Sequence, residues 1–120
     1  MHIVPHNSQP LQSQSFNYMG EDLTLITRWN TRGFWNIDVY DNLKDEWITR
    51  GEGLSIGGAC LTNVNFPFYI VMLAVDPYTV ITREALGDTL NIYLVTREEY
   101  NIKFNCKYCI KRCIVHRLSI

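Results

Sequence analysis

The chain has 120 residues, 47% of them hydrophobic and 12% aromatic, which is enough apolar material for one packed domain. Its formal net charge of −1 leaves no basic footprint of the kind that nucleic-acid-binding domains carry. The amino-terminal stretch lacks the basic flank and apolar run of a signal peptide, so we expect a protein made in the cytoplasm. The apolar run at 66–75 is too short to span a bilayer as a helix. We therefore expect neither nucleic acid nor membrane as a partner.

Short alternating segments separated by turn signals begin at the amino terminus. His2–Val4 predicts an edge strand, because Pro5 cannot donate to a ladder. A weakly alternating strand over 13–19 is followed by a turn at 20–22. This spacing is typical of the start of a β-meander.

The stretch from Asp22 to Asp41 predicts a β-hairpin around which the domain is organised. Apolar residues alternate with polar ones on both sides of Asn30–Gly33, a short loop that suits a positive φ at Gly33. Two tryptophans then lie beside the same turn. The expected core residues of the hairpin are Trp29, Trp35, Ile37 and Val39.

The second half of the chain continues the strand pattern. A short strand at 46–50 precedes a glycine-rich stretch at 51–58, where no Lys-Ser or Lys-Thr follows the glycines, so turns and bulges are favoured over a phosphate loop. The run at 68–75 predicts either a central strand buried on both faces or a strand that closes a small barrel. Residues 82–87 predict one helical turn ended by Gly87.

A clearly alternating strand at 89–96 and a capped helical turn at 96–99 complete the pattern. We expect an all-β fold, a small antiparallel barrel or sandwich built from a β-meander, with a short helical or extended C-terminal tail. The predicted division is a β domain at 1–100 and a basic, cysteine-rich extension at 101–120.

The order of these signals resembles that of the phage baseplate plug family, small proteins of contractile-tailed bacteriophages described as cyanophage baseplate plugs. The family's W-x-L-D-L-Y-D strand corresponds to Trp35–Asp41, and its closing L-V-Y-L-T-x-E-E strand corresponds to Ile92–Glu99. The resemblance covers about residues 1–100. It implies a virion protein of the tail baseplate, assembled in the host cytoplasm, which contacts tube, hub-spike and baseplate-ring proteins and repeats itself in a symmetric ring.

The predicted outer side of the hairpin mixes aromatic and polar groups, as interface surfaces often do. Its candidate contact residues are Phe34, Asn36, Asp38 and Tyr40. Asp38 and Asp41 lie on opposite faces of an extended strand, so paired acid–base work is not expected, and Asp41 is expected to cap its turn. His2 and His6 are expected to be exposed. No catalytic triad or nucleophile elbow is visible, so we expect no enzyme activity.

The extension at 101–120 carries its own candidates. Lys107, Lys111 and Arg112 suit docking on acidic tail subunits, with a solvated arm as the equal alternative. The candidate residues for disulfide formation or metal binding are Cys106, Cys109, Cys113 and His116, in C-x₂-C-x₃-C-x₂-H spacing. No cofactor is expected beyond the zinc alternative. Cys60 is expected to be an ordinary buried thiol, with pairing to a cysteine of the extension as the alternative. A small zinc-binding interaction or regulatory module that uses these Cys and His residues is the alternative function.

Overall fold

Two four-stranded antiparallel sheets pack against each other in the computed structural model, which describes residues 1–62 and 64–104. The strands are β1 (His2–Val4), β2 (Leu11–Tyr18), β3 (Glu21–Asn30), β4 (Phe34–Asp41), β5 (Glu46–Gly53), β6 (Ala59–Cys60), β7 (Phe68–Ala74) and β8 (Leu90–Thr96), followed by helix α1 (Arg97–Phe104). The prediction of an all-β fold is confirmed. The arrangement is a sandwich and not a closed barrel.

The first sheet has the order β2-β3-β4-β5 and is called the meander sheet below. The β2–β3 hairpin closes through Met19 and Gly20, whose φ angles of 50° and 84° fit the two left-handed positions of a type I′ turn. At the next hairpin Gly33 has a φ of 102°, as its sequence predicted. The Asp41 carboxylate accepts hydrogen bonds from the backbone N–H groups of Leu43 and Lys44, and this caps the following turn.

The second sheet has the order β1-β8-β7-β6 and is called the helix-backed sheet below. Alternation along β8 places Leu90, Ile92 and Leu94 in the core between the sheets. Tyr93 and Val95 point to the other side, into a small apolar cluster that Tyr100 of α1 packs against. Strands β7 and β8 are therefore buried on both faces, and the prediction for the apolar run after residue 67 is confirmed.

The core of the sandwich contains most of the hairpin residues that the sequence selected. Trp35, Ile37 and Val39 are fully buried. Trp29 is only half-buried and packs edge-on against Trp35, with 5.2 Å between ring centroids. The hairpin thus supplies the meander sheet's main contribution to the core.

Helix α1 begins with a reciprocal capping box. The Thr96 N–H donates to the Glu99 carboxylate at 3.0 Å, and the Glu99 N–H donates to the Thr96 hydroxyl at 3.1 Å. The same carboxylate binds the terminal ammonium of Met1 at 2.8 Å. The helix begins where the sequence predicted, and its Glu99 side chain binds the first residue of the chain. No helix among residues 1–62 and 64–104 is long and apolar enough to cross a membrane.

Candidate interaction surface

The two sheets differ in how their outward faces are covered. Helix α1 lies against the helix-backed sheet. The face of the meander sheet that points away from the core is called the outer face. It carries exposed or half-buried side chains from β3, β4 and β5, including Ile26, Phe34, Tyr40 and Trp47. Among these side chains Trp47 is the most accessible aromatic one, with 42% of its surface exposed.

The β5 side of the outer face carries a three-membered stack. The Tyr40 and Trp47 rings meet edge-on with centroids 5.0 Å apart, and the Arg50 guanidinium lies 4.4 Å from the centroid of the Trp47 ring. The Tyr40 hydroxyl donates to the Asp45 carboxylate, and this hydrogen bond raises the pKa of Tyr40. The stack holds Trp47 in place while 42% of its surface remains exposed.

Asp38 lies on the outer face but is not accessible there. Only 1% of its side chain is exposed, because Arg28 covers it in an ion pair. Its other carboxylate oxygen accepts a hydrogen bond from the Gly51 N–H at 2.6 Å. Gly51 has a φ of 71° and lies where the β4–β5 register shifts, so Asp38 fixes the bulge of β5. The predicted contact residue is thus a buried structural group.

Phe34 and Asn36 are half-buried at the opposite end of β4. Asn36 pairs with Gly53 of β5, and a Cβ added to Gly53 would lie 3.8 Å from the Asn36 side-chain oxygen. Gly53 therefore places no side chain over Asn36 or Phe34, whereas any larger residue there would contact both. Phe34, Asn36 and Tyr40 are therefore the members of the predicted contact set that are partly accessible.

Sequence reasoning missed Trp47 and Arg50 as surface candidates. The signal was present, since Trp47 alternates with Ile48 on a strand whose inner side must face the core. The sequence alone did not show that Tyr40 pairs with Trp47 across the two strands, and this pairing places the two rings on one face.

The expectation that His6 is exposed is wrong, because its ring lies between β1 and the meander sheet. Its Nδ1 is 2.8 Å from the Val4 carbonyl oxygen, and its Nε2 is 2.8 Å from the Thr27 hydroxyl. Burial lowers the pKa of His6, against the opposing effect of the Val4 hydrogen bond. His2 is exposed and stacks on Tyr18 with centroids 5.3 Å apart.

The thiol of Cys60 is buried, as predicted, and burial together with the nearby Glu52 carboxylate raises its pKa to about 12. A thiol with so high a pKa is a poor nucleophile. Residues 1–62 and 64–104 contain no group of three or more His, Cys, Asp or Glu side chains placed to hold a metal ion. The remaining predicted site residues lie outside the described residues: Cys106, Lys107, Cys109, Lys111, Arg112, Cys113 and His116.

Comparison with known families places the chain. Residues 1–98 match the family model described as "Cyanophage baseplate Pam3 plug gp18". No curated protein matches the chain. The family match covers most of the sequence, so the chain belongs to this baseplate plug family, and the resemblance that the two strand motifs indicated is confirmed.

Proposed function

We propose that this member of the cyanophage baseplate plug family is a structural component of a contractile-tail baseplate, close to the hub, that works through protein–protein contacts. The observation that carries the proposal is the family match over residues 1–98. The proposed partners are tube, hub-spike and baseplate-ring proteins, together with further copies of the chain in a symmetric ring. Assembly in the host cytoplasm would precede incorporation into the virion.

The outer face of the meander sheet is the proposed contact surface for those partners. Tryptophan, tyrosine and arginine are the residues that most often dominate binding energy at protein interfaces. Trp47, Tyr40 and Arg50 occur together there and hold one another in a fixed arrangement before any partner binds. A preorganised aromatic anchor loses less side-chain entropy on binding, which favours its use as a contact site.

The buried ionisable groups of the described residues support a non-catalytic role. His6 is held between a carbonyl and a hydroxyl of its own fold. Asp38 is neutralised by Arg28 and holds a strand bulge. Each of these groups has a structural partner, so its burial is accounted for by the fold.

The test is incorporation into tails in phage particles that lack the native gene and are complemented in trans. Wild-type protein is expected in purified tails when these are quantified by mass spectrometry. Trp47→Ser removes the aromatic anchor and is expected to lower incorporation strongly, since a hot-spot loss of about 2 kcal/mol weakens binding about 30-fold.

Tyr78→Ser is the matched control. Tyr78 is 88% exposed in the loop after β7, so the change removes a similar aromatic surface from another part of the molecule. We expect this variant to be incorporated like wild type. Absence of the wild-type protein from purified tails would contradict the baseplate role, and normal incorporation of a folded Trp47→Ser variant would contradict the choice of the outer face.

A further inference from the structure

The four edges of the sandwich are protected to very different degrees. On the helix-backed sheet the edge strands β1 and β6 have only 3 and 2 residues. On the meander sheet, β5 is bulged and carries Glu46, Arg50 and Glu52. Short length, bulges and charges are the devices by which proteins prevent edge-to-edge pairing. The remaining edge, β2, has 8 residues in regular register and none of these devices.

The hydrogen-bonding pattern shows which groups of β2 point outward. The Trp29 N–H donates to the Pro10 carbonyl at 2.8 Å, which makes the position opposite Trp29 a bonded pair of the β2–β3 ladder. Bonded and non-bonded pairs alternate along an antiparallel ladder. The residues whose backbone groups turn away from β3 are therefore Leu11, Ser13, Ser15 and Asn17.

Those outward backbone groups have no hydrogen-bond partner within residues 1–62 and 64–104. The side chains of the same four residues are all exposed, and Leu11 presents 63% of its surface. The edge of β2 is thus a regular row of free donors and acceptors beside small, mostly polar side chains. Such an edge is a template for an added strand.

The chemistry of β2 indicates what kind of strand fits. Residues 2–20 contain no Asp, Glu, Lys or Arg, so the edge offers no charge with which to select a charged partner. The same neutrality means that the strand meets no like-charge repulsion from its own copy. With a net charge of −1 the whole chain adds little repulsion at longer range.

We propose that β2 pairs antiparallel with β2 of a second copy across a two-fold axis at Gln14. In that register the outward residues match one another: Leu11 pairs with Asn17 of the second copy, and Ser13 pairs with Ser15. These four bonded pairs form about eight backbone hydrogen bonds and join the two meander sheets into one. The other registers that keep the outward residues facing each other shorten the overlap. This pairing rests on the proposed function: it would be a contact between copies in the baseplate, and the pair would be the repeating unit of the ring.

The test uses the full-length chain in reducing buffer, so that disulfides do not contribute, and measures association by sedimentation equilibrium up to about 100 μM protein. The variant S13K/S15K places lysine opposite lysine in both central pairs. The matched variant S13K/S15E changes the same two exposed positions but places lysine opposite glutamate. Both lose the hydrogen bond between Ser15 and Thr24, so they differ mainly in charge across the axis.

We expect wild type to form a dimer. S13K/S15K should raise the dissociation constant of the dimer at least about tenfold, whereas S13K/S15E should have a dissociation constant near that of wild type. Thermal unfolding of both variants at low protein concentration checks that the monomer fold is intact. A wild-type monomer at the highest concentration overturns the proposal, and so does an S13K/S15K variant that associates like wild type. Equal weakening in the two double variants overturns the two-fold register. Monomeric wild-type protein that still enters tails would overturn this pairing and leave the baseplate role standing.

Discussion

The three tryptophans of the chain lie in three different environments, and this predicts a graded loss of stability on replacement by alanine. Trp35 is fully buried and contacts Trp29 edge-on, so Trp35→Ala removes a core side chain and leaves a large cavity. Such changes cost about 3–5 kcal/mol. The buried Trp35 N–H has no hydrogen-bond partner among the described residues, and removing it recovers part of a desolvation penalty. We therefore expect a loss near the lower end, about 3 kcal/mol.

For a domain of this size a loss of about 3 kcal/mol lowers Tm by about 15 °C. The assay is urea and thermal unfolding of the full chain in reducing buffer. Trp29→Ala is expected to cost about half as much, because Trp29 is half-buried, and Trp47→Ala on the outer face should cost less than about 1 kcal/mol. A loss below about 1.5 kcal/mol for Trp35→Ala, or one no larger than that of Trp47→Ala, would refute the reasoning.

Three further predictions concern the polar and backbone positions. Arg28→Ala leaves the Asp38 carboxylate buried without its cation, and we expect a loss of about 2 kcal/mol in urea unfolding, less than for a fully buried pair because Arg28 is half exposed. Adding Asp38→Asn should recover part of that loss, and no recovery would contradict the ion pair's role. Gly87→Ala places a Cβ 2.3 Å from the His6 carbonyl oxygen at a φ of 89°, and should cost about 3 kcal/mol or more in thermal unfolding. Gly33→Ala, at a φ of 102° with open space around it, should cost only about 1–2 kcal/mol, and equal losses would count against the clash. His6 has a lowered pKa in the fold, so near and below its ordinary pKa of about 6.5 the unfolded chain binds more protons than the folded chain, and stability should decrease as pH falls through that range. His6→Gln should flatten that slope, and parallel pH profiles would rule out His6 as its source.

The features that the sequence predicted well are those encoded locally. Alternation along 89–96 identified both faces of β8, and the Thr96–Glu99 spacing identified the start of α1 through its capping box. The left-handed position of Gly33 followed from the spacing of the hairpin strands. Each of these features depends on residues a few positions apart, so the pattern of side chains is sufficient to find it.

The features that the sequence did not predict depend on contacts between distant segments. Period-2 alternation put Asp38 on the correct face, but its burial depends on Arg28 of the neighbouring strand and on the bulge at Gly51. His6 was expected in solvent because its polar neighbours surround it in sequence. Its partner Thr27 lies 21 residues away. The burial of Asp38 and the burial of His6 both depend on how distant strands are paired. The composition of a single segment does not reveal that register.

The asymmetry of the two sheets makes the two proposed contacts separable. Helix α1 packs against the helix-backed sheet, and both edge strands of that sheet are very short. Among residues 1–62 and 64–104 the open face and the open edge therefore both belong to the meander sheet. Trp47 lies on β5 and the self-pairing groups lie on β2, at opposite edges of a four-stranded sheet, about 14 Å apart at a strand spacing of about 4.8 Å. The contact through Trp47 uses side chains above the sheet plane, whereas the contact through β2 uses backbone groups within it. A chain with S13K/S15K should therefore lose its pairing with a second copy while it keeps its Trp47-dependent binding to tail proteins, and Trp47→Ser should show the reverse.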